Sequence, residues 1–276
     1  AKKYTGTYGT NGFYLDFNTN TEGVFGDLSY TTADIWGDGS DLRTYLFEGN
    51  SNDASGNSNG SLSGSYSYGQ GILGQAINFA GGEMDISLGN MSSGFSHSIW
   101  VKTTANSTLA LTRYYYNFAG EATQIRYDGK AVATYGSGAG WDTTYQILSD
   151  RVLTDGEWHH LCHTFDGTNA TFYVDGSNVG TASISGSAPA PTSGTIRMNG
   201  DIETGATSQT CSIDQCRIFN RALTEEEVLK LAGGYALDQS GNGNDWQGHN
   251  INVYDVVSDS PTNNFCTLDP LQKVDS

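Results

Sequence analysis

The segment GEWHHLCHTFDGTNATFYVDGSNVGTASI, residues 156–184, constrains the fold more than any other. Two Asp-Gly pairs, Asp166-Gly167 and Asp175-Gly176, cut it into alternating runs at Leu161–Phe165 and Thr171–Val174 and a return toward Val179. Asp and Gly tolerate the positive φ angles that tight hairpins require, and runs of four or five residues are too short for helices. Adjacent antiparallel strands are the only economical reading. Further candidate strands lie at Thr44–Phe47, Ala76–Phe79, Asp85–Leu88, His97–Lys102, Thr108–Tyr115 and Thr123–Tyr127. Thirty-six glycines against four prolines supply turn residues along the whole chain. The expected class is all-β: a two-sheet antiparallel jelly-roll sandwich over residues 34–234 with one short C-terminal helix.

That helix is marked by Thr224 as N-cap, Glu227 three residues on as its capping-box partner, Leu223 and Val228 as a hydrophobic staple, and Gly233 as the stop. Glu225-Glu226-Glu227 is then a first turn favoured by the helix dipole rather than a ligand cluster.

Thirteen Lys and Arg against thirty Asp and Glu leave a formal charge of -17. A chain so acidic repels phosphate backbones, so nucleic acid is not an expected partner. Its apolar runs fall far short of the ~20 residues of a membrane span, so insertion is not expected. The opening AKKYTGTYGT has neither a leader pattern nor a Met, as expected of a piece of something longer. The four cysteines read as reduced and mostly buried. On one extended strand Cys211 and Cys216 would point to opposite faces about 17 Å apart. One loose Cys pair does not make a zinc site. His159 and His160 face opposite sides of a strand, and packing explains them and His163 better than metal does. No Ser-His-Asp set, Walker loop or dinucleotide fingerprint occurs.

Three ordered motifs carry a family resemblance. Leu46-Phe47-Glu48-Gly49-Asn50-Ser51-Asn52-Asp53-Ala54-Ser55-Gly56-Asn57 resembles the opening strand and loop of laminin G-like domains with the concanavalin A-like jelly roll. Gly156-Glu157-Trp158-His159-His160-Leu161 is similar to that family's central Trp-His-His strand. Residues 213–227, from Ile213-Asp214 to Glu227, are similar to its closing strand and helix. The resemblance implies that Asp53 and Asp214 approach one calcium ion, with Glu48 reaching toward it and Asn57 shaping the loop. Asx turns at Asp53, and an Asp214–Arg217 hydrogen bond, are the competing explanation. The resemblance also implies carbohydrate sites on the sheet or its loops. Tyr114, Tyr116, Trp141 and Tyr145 are the candidate stacking residues, against the alternative that they cover a sandwich face. Glu83 and Asp85 resemble the paired acids of glucanases on this jelly roll, but Ile86-Ser87-Leu88 lacks the farther acid/base carboxylate, so no enzyme is expected.

The flanks, 1–33 and 235–276, read as one discontinuous β module, incomplete in this chain. Tyr8–Phe17, Leu237–Trp246 and Asp259–Pro270 resemble a module of bacteriophage tail-fibre and other virion proteins. Asp238-x-Ser-Gly-Asn-x-Asn also echoes Asp53-x-Ser-Gly-Asn-x-Asn. The expectation is a non-catalytic virion surface protein, assembled in the host cytoplasm. Its expected partners are sibling virion proteins, as a homo-oligomer, and host-surface glycan. A purely structural particle protein, or a secreted glycoside hydrolase or carbohydrate-binding module, are the alternatives.

Overall fold

The computed structural model describes residues 34–88, 94–108, 110–115, 119–137, 144–183, 194–200, 209–233, 235–236 and 246–247. The chain runs through β1 (Asp41–Tyr45), β2 (Ser61–Ser63), β3 (Tyr66–Gln70), β4 (Gln75–Ala80), β5 (Glu83–Leu88), β6 (Phe95–Lys102), β7 (Leu111–Tyr115) and β8 (Ala119–Ile125). It continues through β9 (Lys130–Ser137), β10 (Thr144–Val152), β11 (Trp158–Phe165), β12 (Asn169–Val174), β13 (Ser177–Ser183), β14 (Gly194–Met198), β15 (Thr210–Phe219), helix α1 (Glu225–Leu231), β16 (Tyr235–Ala236) and β17 (Trp246–Gln247).

Two antiparallel sheets form the sandwich. One has the order β13-β12-β11-β6-β15-β4-β3, with β1 also paired to β15; the other has the order β10-β9-β8-β7-β14-β5-β2. A separate pair, β16 and β17, joins Tyr235 to Gln247 and Ala236 to Trp246. The hairpins marked by Asp-Gly form as read, with Leu161 opposite Val174 and Phe165 opposite Ala170. Period-two alternation puts Phe95, Ile99 and Val101 of β6, Leu161 and Phe165 of β11, and Ile77 and Phe79 of β4 between the sheets. They meet Met84 and Ile86 of β5, Ile196 and Met198 of β14, and Ala131, Ala133 and Tyr135 of β9.

The outer face of the first sheet is covered by α1. Thr224 accepts from the Glu227 N–H, the Glu227 side chain accepts from the Thr224 N–H, and Gly233 takes φ +78° just past the end. Leu223, Val228 and Leu231 pack on Cys162, Tyr173 and Phe219.

One expectation is corrected. Cys211 and Cys216 do not face opposite ways; both lie in the core between the sheets. The register of β15 against β6 slips between Asp214 and Arg217, with Gln215 at φ +45°. The inserted residue flips the alternation, so 211, 213, 216 and 218 share one face. Cys162, Cys211 and Cys216 are buried free thiols, and burial pushes all three well above the ordinary thiol range. Cys266 lies outside the described residues.

Candidate functional site

The loop after β1 is organised by Asp53. Its Oδ1 accepts from the Thr44 N–H (2.9 Å), the Ser55 N–H (3.0 Å) and the Ser55 hydroxyl (2.6 Å). Its Oδ2 accepts from the N–H groups of Asn57 (3.1 Å) and Ser58 (2.9 Å). Asn57 also donates to the Leu42 carbonyl and to Ser55 Oγ. On the neighbouring turn between β3 and β4, Asp214 Oδ2 accepts from the N–H groups of Ile72 (3.0 Å) and Leu73 (3.2 Å), and Oδ1 from Gln215. Both oxygens of Glu48 accept from the Gln75 N–H. Side chains at Gly71 and Gly74 would collide with the carboxylates of Asp214 and Glu48, which is why that turn reads Gly-Ile-Leu-Gly. Burial, reinforced by Glu48, holds Asp214 well above the ordinary carboxylate range.

A hard cation needs six to eight converging oxygens. Asp53, Asp214, Glu48 and Asn57 do not build that cage: five donors saturate Asp53, and Asp214 and Glu48 are each turned onto the backbone of residues 72–75. Among the described residues no three His, Cys, Asp or Glu side chains group to hold a metal ion. The turn explanation fits Asp53, but its second half does not: Arg217 pairs with Asp41 (3.2 Å), not with Asp214.

Glu83 and Asp85 share the outer face of the second sheet, two residues apart on β5. Arg197 of β14 sits opposite Asp85 in register and engages it with two hydrogen bonds, Nε to Oδ1 at 2.6 Å and Nη2 to Oδ2 at 2.9 Å. Its Nη1 lies 3.1 Å from Glu83 Oε1. Ser63 of β2 adds its hydroxyl to Glu83 at 3.4 Å. The next outward position on β5 is Ser87, which is exposed. The paired acids are therefore one ion-pair network around Arg197, with no third carboxylate beyond them on the strand. Sequence reading missed Arg197 because its strand, Gly-Thr-Ile-Arg-Met, is short and preceded by a Ser/Pro-rich stretch.

Of the four aromatic candidates, Trp141 and Tyr116 lie outside the described residues. Tyr114 pairs with Gly120 in the β7–β8 ladder. Tyr145 pairs with Tyr135 and packs on the core, so it covers the sandwich rather than projecting from it. The exposed tyrosines among the described residues are Tyr66 and Tyr127. The described histidines all sit on β6 and β11. His160 bonds to Ser98 Oγ at 2.9 Å under α1, and His163 lies in the core against Phe95 and His97. His159 is different: Nδ1 meets Asp175 at 2.9 Å and Nε2 meets Asp155 at 3.1 Å.

The family profile described as the concanavalin A-like lectin/glucanases superfamily matches residues 78–229. Among curated proteins none matches. Among solved structures, domain 4 of AbnA, a GH43 extracellular arabinanase from Geobacillus stearothermophilus in complex with arabinotriose, is similar at 20% identity and a TM-score of 0.57, covering 70% of this chain and 98% of that one. The binding domain of Paraclostridial Mosquitocidal Protein 1 is similar at 17% identity and 0.56, over 70% of this chain and 52% of its own. The receptor-binding domain of botulinum neurotoxin mosaic serotype C/D is similar at 18% identity and 0.56, over 71% of this chain and 51% of its own. At these identities the likenesses establish the fold. With more than half its length matched by the family profile and the two-sheet jelly roll in place, the chain belongs to the laminin G-like branch of the concanavalin A-like lectin/glucanase superfamily.

Proposed function

We propose that this chain is a non-catalytic binding module whose ligand is a glycan. The observation that carries the non-catalytic part is the Glu83–Arg197–Asp85 network. Retaining hydrolysis needs one carboxyl as nucleophile and another as acid, each free to meet the sugar. Here the guanidinium spans both, and the strand continues with Ser87 in place of a further acid. The glycan part is supported by membership of a lectin superfamily and by relatives described as a domain in complex with arabinotriose and as receptor-binding domains.

The flanking motifs support the finer reading that the module is displayed on a virion appendage beside sibling chains and contacts host-surface glycan. Protein identification in purified particles tests that placement.

The full chain is incubated with a glycan array and, separately, with β-glucans. Binding without release of reducing ends is expected. Reducing-end release abolished by Glu83→Gln would overturn the non-catalytic reading, and an array without any bound glycan would overturn the ligand.

A further inference from the structure

We propose that the glycan is gripped at one end of the sandwich, where Tyr127 offers its ring to a neutral sugar and Arg126 and Asp128 flank it as donor and acceptor. This rests on the glycan reading above and adds the place and the chemical class.

Tyr127 is 72% exposed, although Ile125, two residues earlier, is fully buried. A lone exposed aromatic is common and needs no function. Three observations set this one apart. First, its ring has a partner. The Arg126 guanidinium carbon lies 4.9 Å from the ring centroid, and Nη2 donates to the Tyr127 hydroxyl at 2.8 Å. A ring that already has a partner has less freedom to lose when a sugar stacks on it.

Second, the surface beneath it is stitched from three chain segments by backbone hydrogen bonds. The Arg126 carbonyl accepts from Ser107 (3.1 Å) and Gly129 (2.9 Å), and the Arg126 N–H donates to Lys130 (2.8 Å). The Gly129 carbonyl accepts from Leu153 (2.8 Å), and Thr103 accepts from Gly156 (3.2 Å). Binding geometry is thereby held without a ligand.

Third, the groups packed on the same turn are of the kinds that a sugar uses. Val152, 52% exposed, lies against Gly129, two residues along the turn from Tyr127, and is an apolar surface of the kind that C–H faces prefer. Asn106 Oδ1 and Thr154 Oγ1 close on the same glycine, and a side chain there would displace them. Gly129 holds φ +77°, so the turn that carries Tyr127 brings its backbone against these polar atoms. Arg126 lies 3.5 Å from Asp128 Oδ2, so the local charges cancel. With a formal -17 on the chain, anionic glycans are repelled and a neutral sugar is preferred.

Titration calorimetry with neutral oligosaccharides found on the array tests this, using the full chain, Tyr127→Ala, Tyr127→Phe and Tyr66→Ala. Tyr66 is the other exposed tyrosine, on β3, and serves as the control. Tyr127→Ala should lose at least tenfold in affinity with its melting temperature unchanged. Tyr127→Phe, which keeps the ring, should lose less than threefold, and Tyr66→Ala should bind as the parent does. Parent-like binding by Tyr127→Ala would overturn this site and leave the glycan reading standing. Binding confined to sulfated or sialylated glycans would overturn the neutral class. A parent chain that binds no glycan would overturn both.

Discussion

His159 and His163, four residues apart on β11, answer to pH in opposite senses. His159 lies between two carboxylates. Burial alone would lower its pKa, but the hydrogen bonds and charges of Asp175 and Asp155 outweigh it and hold the imidazolium above its ordinary 6.5. Its stabilisation is complete below 6.5 and is lost as pH rises through the folded value. His160 and His163 are buried neutral, and burial lowers them to about 4 and about 3. Below pH 6.5 the unfolded chain binds protons that these two refuse, so stability falls toward acid. From pH 6.5 to 4 each costs about 3 kcal/mol, at 1.36 kcal/mol per pH unit. That is large beside a typical net stability of about 5–15 kcal/mol. Around His163 stand Phe95, His97 and, 3.6 Å from His97, Glu121 of the opposite sheet. His163→Leu should therefore stay near the parent at pH 7 and exceed it by about 3 kcal/mol at pH 4.5, read by urea denaturation. Equal losses in both proteins would remove His163 from the account.

The elements differ in how far they were legible. The β11–β12–β13 hairpins and α1 were readable because each carries its own local chemistry: Asp-Gly where φ turns positive, and Thr224 with Glu227 at a helix start. A seven-residue helix is too short to persist alone, so its place depends on Val228 and Leu231 meeting Cys162 and Tyr173 across the sheet. By contrast β2 and β3, Ser-Leu-Ser and Tyr-Ser-Tyr-Gly-Gln, look like loop because they are edge strands with little buried surface. The bulge in β15 was invisible, since nothing in Asp214-Gln215-Cys216 marks an inserted residue. The loop after β1 stands out in the sequence, but its residues alone could not say whether Asp53 holds an ion or the chain. In the fold, five donors hold its carboxylate. Asp53→Ala should cost about 2–4 kcal/mol, because several buried N–H groups lose a charged acceptor. Asp53→Asn should cost nearly as much, since an amide N–H₂ would face other donors. The parent's melting temperature should not move with chelator. A chelator-induced drop that disappears in Asp53→Ala would instead restore the calcium expectation.

At the scale of the molecule, the candidate site divides the same way. The acids of β5 were legible, but Arg197, which neutralises them, arrives from a strand 112 residues later in sequence, and the Tyr127 turn gains meaning only from the segments stitched beneath it. The flanks pose the remaining architectural question: whether residues 34–234 form an inserted unit. Insertions are tolerated where entry and exit meet at the surface. Just after the proposed entry, Ile35 and Trp36 pack on the cluster that holds Val228 and Leu231. Asp38 pairs with Arg221 at 2.9 Å, and the Asn220 N–H donates to the Ser40 carbonyl at 3.0 Å. β1 then pairs along β15, with Asp41 opposite Phe219. Among the described residues, the segments near the two proposed boundaries are thus tied together by the sandwich's own contacts. An excised fragment of residues 34–234 should unfold in urea as a single cooperative transition with the same midpoint as this region in the full chain. Trp100 reports it, because its indole N–H donates to the Leu231 carbonyl under α1. A fragment that is unfolded while the full chain is folded would mean that the flanks complete the core, and the boundaries at 34 and 234 would have to be redrawn outward.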